Sequence, residues 1–283
     1  MRKQGLTLTE LLIGLVISGI VAAAILGLYV GSNKSFKRGR KLSELMDEVN
    51  SAIVQLDFLF SRWGAGVPCA NNTCVFNTTI SACGGYPPSD PMCMDCLNGS
   101  LTTGCTDIVF YGNLGGLGFV VNSTATTSNV ISCRLSVDPS QNYYYIWNST
   151  GVILDTTGLP KVYQLSGLNP NDIGCIDFTG VPNAVVNSNV TQYGSTSTYT
   201  LLAGNLISRV PHKIELLVVN GTLVEKKWDL YNLSSPQYEG TTTIGYVNNF
   251  QVTADGRGVK VVIDFVSSKD PNLTFHFEKY YSR

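Results

Sequence analysis

The sequence predicts an α+β chain: one long N-terminal helix, then a mostly antiparallel β domain braced by disulfides. Three observations predict it. Residues 11–30 carry no charge, long enough as a helix to cross a bilayer core. Six of the eight cysteines fall between Cys69 and Cys105. From residue 106 onward, runs of Val, Ile, Phe and Tyr alternate with turn signals, and no helical pattern lies close enough to build βαβ units.

The chain begins with residues 1–5 (Met1-Arg2-Lys3-Gln4-Gly5), a short basic leader. Residues 6–63 are expected to form one helix, of which 6–30 is the membrane-spanning part. A secretory signal has a shorter apolar region and then a small-residue cleavage site. Here the polar leader stops before the apolar run, which continues into more helix, so the apolar helix is expected to stay in the mature protein. Glu10 sits at the edge of the apolar run. A carboxylate in hydrocarbon costs on the order of 3 kcal/mol and usually has a partner; the alternative is an interfacial Glu that snorkels to the headgroups.

Beyond Val30, five of the eight residues 34–41 are cationic: Lys34, Lys37, Arg38, Arg40 and Lys41. Leu42, Leu45, Met46, Val49, Ile53, Leu56, Phe60 and Trp63 then recur at steps of mostly three and four, one apolar stripe on a helix. The run Gly64-Ala65-Gly66-Val67-Pro68 stops it. The positive-inside rule would hold the cationic cluster on the cytoplasmic side, whereas the cysteines place the C-terminal region in an oxidising space. The cluster is therefore read as binding anionic headgroups or acidic neighbours, or as a solvated basic face.

Residues 64–105 form a Cys-rich region. The clustered, even set Cys69, Cys74, Cys83, Cys93, Cys96, Cys105, Cys133 and Cys175 reads as a disulfide framework whose pairing the sequence leaves open. Cys93-x-x-Cys96 also has zinc-ligand spacing. The segment is either a braced loop or a contact surface.

Residues 106–283 form the β-rich domain. Strands are expected at 107–111, 118–121, 130–137, 143–147, 161–165 and 173–178. Further strands are expected at 213–219 and 222–230 around Asn220-Gly221, at 244–253 and 259–266 around Asp255-Gly256, and at 273–281. Tyr143-Tyr144-Tyr145-Ile146-Trp147 is either a strand with aromatics on both faces or an adhesive patch. Asn-x-Ser/Thr occurs ten times, which fits either glycosylation or a polar exported surface.

Composition narrows the chemistry. Charged residues are 14 % and net charge is −1, which argues against a broad basic face for nucleic acid. With two histidines and no hydrolase, zinc-protease or phosphate-loop motif, no catalytic residue, cofactor or metal site is expected. The glycines at 112, 115, 116 and 118 read as turns and His276 as an exposed strand residue. Asp90, Asp95 and Asp107 have no calcium-cage spacing.

The segment Gly5-Leu6-Thr7-Leu8-Thr9-Glu10-Leu11-Leu12-Ile13-Gly14-Leu15-Val16-Ile17 resembles the class III leader and N-terminal helix of type IV pilins and type II secretion pseudopilins. That resemblance implies cleavage by a prepilin peptidase between Gly5 and Leu6, and N-methylation of Leu6. It also implies that Glu10 pairs with the terminal amine of a neighbouring subunit, the opposite charge a buried carboxylate needs. This sequence has Leu6 where Phe or Met is usual, and lacks the frequent mid-helix Pro. Residues 29–36 and 45–64, and the closing hairpin at 246–261, are similar to PilW-type minor pilins and, next, to pseudopilin J. The implied role is a minor pilin that helps to initiate or cap a type IV pilus. Its implied partners are other pilins, the prepilin peptidase and inner-membrane lipid. A major pilin, a secretion pseudopilin and a membrane-anchored binding or adhesion protein are the alternatives. The implied location is a single inner-membrane pass with an exported domain, and then the extracellular pilus.

Overall fold

A computed structural model describes residues 8–133, 143–166 and 184–282, the side chains of Glu10 and Cys133 excepted. Helix α1 runs Leu8–Arg62, 55 residues or about 82 Å. Every described side chain from residue 8 to residue 43 is exposed. The buried face begins at Leu45 and continues through Val49, Ala52, Leu56, Leu59, Phe60 and Trp63. The stripe expected from the sequence differs in part. Leu42 and Met46 are exposed, Leu42 because the sheet has not yet begun beneath it, and Ala52 and Leu59 enter the core instead.

Strands β1 (Asp95–Ser100) and β2 (Gly104–Gly112) form a hairpin. Next come β3 (Leu117–Ser123), β4 (Thr127–Cys133), β5 (Tyr143–Asn148), β6 (Gly151–Val152) and β7 (Tyr163–Gln164). They are followed by β8 (Ala184–Asn187), β9 (Asn189–Gln192), β10 (Thr198–Thr200) and β11 (Leu206–Arg209). Last are β12 (His212–Val219), β13 (Thr222–Asp229), β14 (Gln237–Asp255), β15 (Gly258–Val266) and β16 (Thr274–Ser282).

These strands make two sheets, and all described pairings are antiparallel. The first sheet has the order β1-β2-β12-β13-β14-β15-β16 and carries the helix. The second is built entirely from β3 to β11, in the order β10-β9-β7-β5-β11-β3-β4-β8 with β6 on β5. It is inserted between β2 and β12, which are direct neighbours with Gly112 opposite His212.

The core of the first sheet packs the helix stripe against Ile108, Phe110, Ile214, Leu216, Phe250, Val261, Ile263 and Phe265. Each such side chain contributes about 1.5–3 kcal/mol when fully buried. The helix comes close because Gly245 is small: a Cβ there would sit 3.1 Å from the Phe265 ring and 3.6 Å from Ala52 Cβ. The second sheet curls on itself. β8 lies at one end, yet a single residue, Ser188, carries the chain to β9 near the other end. Val120, Val130, Tyr144, Ile146, Tyr163, Val186, Val190, Leu201 and Ile207 fill the curl.

The Cys-rich region departs from a plain loop. Its last residues make β1 and the start of β2, and the stretch before them fills the joint between the sheets. Val67, Cys83 and Cys93 are buried with Tyr111, Tyr145, Val152, Val162, Val210 and Leu230. Trp63 Nε1 donates to the Cys93 carbonyl at 2.9 Å. Asn72 acts like a strand residue toward Val152, donating to its carbonyl (2.8 Å) and accepting from its amide (3.2 Å). Tyr145 joins the same joint through a hydroxyl pair with Tyr86 at 3.1 Å. Tyr144 faces the other way, into the curled core. The 143–147 run is thus a central strand with aromatics on both faces.

The Asn220-Gly221 hairpin forms as expected, with φ of 51° and 75° and Val219 opposite Thr222. β14 is longer than expected because its first part, around Gly240 and three threonines, lacks an apolar pattern. The expected strand at 173–178 and the far end of that at 130–137 lie outside the described residues.

Candidate assembly segment and its basic collar

The helix positions the candidate assembly residues. Gly5 and Leu6 lie outside the described residues, and Glu10 lies on the first described turn of α1, its side chain undescribed. From Leu11 the helix presents Leu12, Ile13, Val16, Ile17, Ile20 and Val21 to the surroundings, each more than half exposed. The most apolar 18-residue window of the helix has mean hydropathy 2.7 and none of it is buried. Among the described residues, nothing covers this surface. An apolar rod of this length reaches its low free energy only in lipid or against other apolar helices.

Above it sits a basic collar. Lys34, Lys37, Arg38 and Lys41 line a groove closed on the far side by Asp270, Asn272 and Leu273. The collar is partly neutralised from within. Lys41 Nζ lies 3.0 Å from Asp270 Oδ2, and Arg40 Nε 3.1 Å from Glu44 Oε1. Lys269 reaches Glu44 at 2.8 Å, and the Ser268 hydroxyl donates to Glu48 at 2.7 Å. The hydrogen bond from Lys269 holds the Glu44 carboxyl below its ordinary value, against the opposing effect of burial and with help from Arg40. Lys41 does the same for Asp270, helped by the Asn272 amide. The loop after β15 is thereby clamped to the helix where it leaves the sheet.

A second clamp lies further along the helix. Lys279 Nζ lies 2.7 and 2.8 Å from the two oxygens of Asp57, and the Tyr281 hydroxyl donates to Asp57 Oδ1 at 2.6 Å. Tyr281 also stacks on Phe60, centroids 4.3 Å apart. Burial, then the bond to Asp57, pushes the Tyr281 hydroxyl well above its ordinary value. No pattern of spacing or composition announces this long-range pair.

The cysteines resolve into Cys69–Cys74, Cys83–Cys93 and Cys96–Cys105. Cys93 and Cys96 therefore belong to different disulfides, which replaces the zinc reading of their spacing. Cys133 ends β4 and Cys175 falls outside the described residues, so any bridge of theirs is not described. The acidic residues weighed for calcium do not converge. Asp90 accepts from the Met92 amide at 2.9 Å and Asp95 from the Cys83 amide at 2.8 Å, each holding the bridged segment in place. His276 is exposed and paired with Asp264 at 2.7 Å.

Residues 1–26 match the family described as the prokaryotic N-terminal methylation motif. Together with the uncovered apolar helix and the disulfide-braced β domain, this motif supports a type IV pilin-like protein and suggests a membrane-anchoring helix with an exported domain. A protein of Aquifex aeolicus (strain VF5), described as an uncharacterized protein, is 33 % identical over 230 residues, 79 % of this chain and 76 % of the relative. The chain belongs to one family with that Aquifex protein. No solved structure matches this chain.

Proposed function

We propose that this chain is a minor pilin of a type IV pilus system, a non-enzymatic subunit that takes part in starting the filament at or near its tip. The observation that carries the reading is a methylation-motif leader running straight into an apolar helix that no described residue covers. In this reading a prepilin peptidase cuts between Gly5 and Leu6, Leu6 is N-methylated, and Glu10 receives the terminal amine of a neighbouring subunit. The resemblance of residues 29–36 and 45–64 to PilW-type helices supports the minor role over the major one. Lys34, Lys37 and Arg38 make no ion pair among the described residues and meet anionic headgroups before assembly.

Two measurements test the reading. N-terminal mass spectrometry of exported protein is expected to find methylated Leu6 as the first residue; Met1 on most of it would sink the pilin assignment. The Glu10→Ala variant is expected to insert and be cleaved normally, since a charge is removed from an apolar helix. It is expected to lose cross-links to co-encoded pilins and to lower pilus number. Wild-type piliation would make Glu10 merely interfacial. If the chain forms most of the mass of sheared filaments, it is a major pilin. If its deletion abolishes secretion and spares pili, it is a pseudopilin.

A further inference from the structure

A buried polar cluster lies far from the apolar helix segment, where the inserted sheet hands the chain back to the first sheet. His212 opens β12 and stands directly opposite Asp229, which closes β13. β14 then passes Asp229, and its pairing slips by one residue: Tyr238 faces Trp228, whereas Gly240 faces Lys227. Glu239 is the extra residue of that bulge, and bulges re-aim the side chains they carry. The result is one imidazole and two carboxylates with ligand atoms all within 4.8 Å of one another. His212 and Asp229 are buried, and the Glu239 side chain is 15 % exposed, which leaves an approach from solvent.

As a purely protein arrangement the cluster does not close. His212 Nε2 lies 3.3 Å from Glu239 Oε2, but Nδ1 is buried with no partner among the described residues. A protonated ring has two N–H groups and one acceptor; a neutral ring keeps an orphaned buried lone pair. Two carboxylates, Asp229 and Glu239, thus share one largely buried pocket with the ring. A cation bound at Nε2 replaces the second N–H, so the ring stays neutral as its Nδ1–H tautomer, and the cation takes charge from both carboxylates.

We propose that His212, Asp229 and Glu239 form a zinc-binding site that pins β12, β13 and β14 at the joint between the two sheets. The donor set supports this choice of ion. Imidazole with carboxylates suits zinc, whereas calcium takes six or more oxygens. In a tetrahedral zinc site, bonds of about 2.0–2.1 Å place neighbouring ligand atoms about 3.3–3.4 Å apart. The His212–Glu239 separation already has that length. The widest edge closes by side-chain rotation, and the bond from the Tyr231 amide to Asp229 Oδ1 (3.0 Å) is the outer support that orients a ligand carboxylate.

The test uses the purified full chain in detergent, disulfides intact, stripped with a chelator and titrated with zinc chloride. One zinc per chain is expected. Glu239→Gln and His212→Gln are each expected to weaken binding about 10- to 100-fold or more. The chain has two histidines, so His276→Ala serves as the surface control and is expected to bind like the wild type. Near-UV circular dichroism checks folding. Should His212→Gln misfold, the partly exposed Glu239→Gln decides alone. The proposal is overturned if the wild type binds no zinc stoichiometrically, if Glu239→Gln binds as tightly as the wild type, or if the zinc is lost with His276 instead. Saturation by calcium in preference to zinc overturns the choice of ion.

Discussion

Asp57 shows how one residue can hold the long helix in register. It accepts from both Lys279 and Tyr281, on the strand at the edge of the sheet, across a sequence separation of 222 and 224 residues. Lys279 and Asp57 are each about 40 % exposed, so solvent screening leaves their ion pair little weight by itself. The hydroxyl of Tyr281 is the better-shielded donor. Tyr281→Phe keeps the ring on Phe60 and deletes only that bond; it is expected to lower stability by about 1.5–3 kcal/mol in a denaturant titration. Gly112 is a second single-residue constraint. A Cβ there would lie 2.4 Å from the Arg62 carbonyl oxygen, where the helix end bridges to β2 through Trp63. Gly112→Ala is expected to cost about 1–3 kcal/mol, because backbone and not a side-chain tip must move, and to show as a lower Tm.

At the scale of elements, the clamp between the helix and the loop after β15 makes a pH-dependent contact. Glu44 and Asp270 have carboxyls lowered by Lys269 and Lys41 respectively. A lowered folded value means that the stabilisation is present above the ordinary carboxylate value. It is lost as pH falls through the lowered one. Hydrogen exchange of residues 267–273, corrected for intrinsic rates, is expected to quicken below about pH 4 while the β12–β13 hairpin stays protected. The bridged segment behaves differently. Reduction removes cross-links worth about 2–4 kcal/mol each, and residues 69–105 are expected to open before the sheets do, as read by proteolysis with thiol counting. Much of this level is legible in the sequence. The helix, the Asn220-Gly221 turn and the closing strands come from periodicity and turn chemistry, and the cysteine cluster from its spacing. β8 to β11 escape a sequence reading because each is only three or four residues long, with Asn and Thr frequent in β9 and β10, and β1 because Gly99 and two bulges interrupt it. The His212–Asp229–Glu239 cluster is invisible there because its members come from three strands, and the bulge that brings in Glu239 has no residue pattern of its own.

For the molecule as a whole, the arrangement that matters is the insertion of one sheet between two paired strands of another. Gly112 and His212 lie opposite each other, so residues 113–211 leave and return at one place. Replacing them with a short glycine-rich turn is expected to keep the helix docked on the first sheet, with a cooperative transition at lower Tm. Tyr111, Leu230 and Val67 would lose their cover, so the same protein is expected to bind a hydrophobic dye.

That same insertion sets a timetable for folding. β2 cannot meet β12 until about a hundred intervening residues have been gathered in, and closing a flexible loop of that length costs on the order of 4 kcal/mol. If the inserted sheet condenses first, its two ends emerge side by side and most of that cost has already been met. The second sheet then acts as an internal scaffold for the first. On that order of events, the stripe from Leu45 to Trp63 would have its finished surface only after β2 meets β12, and the helix that leads the chain in sequence would dock late.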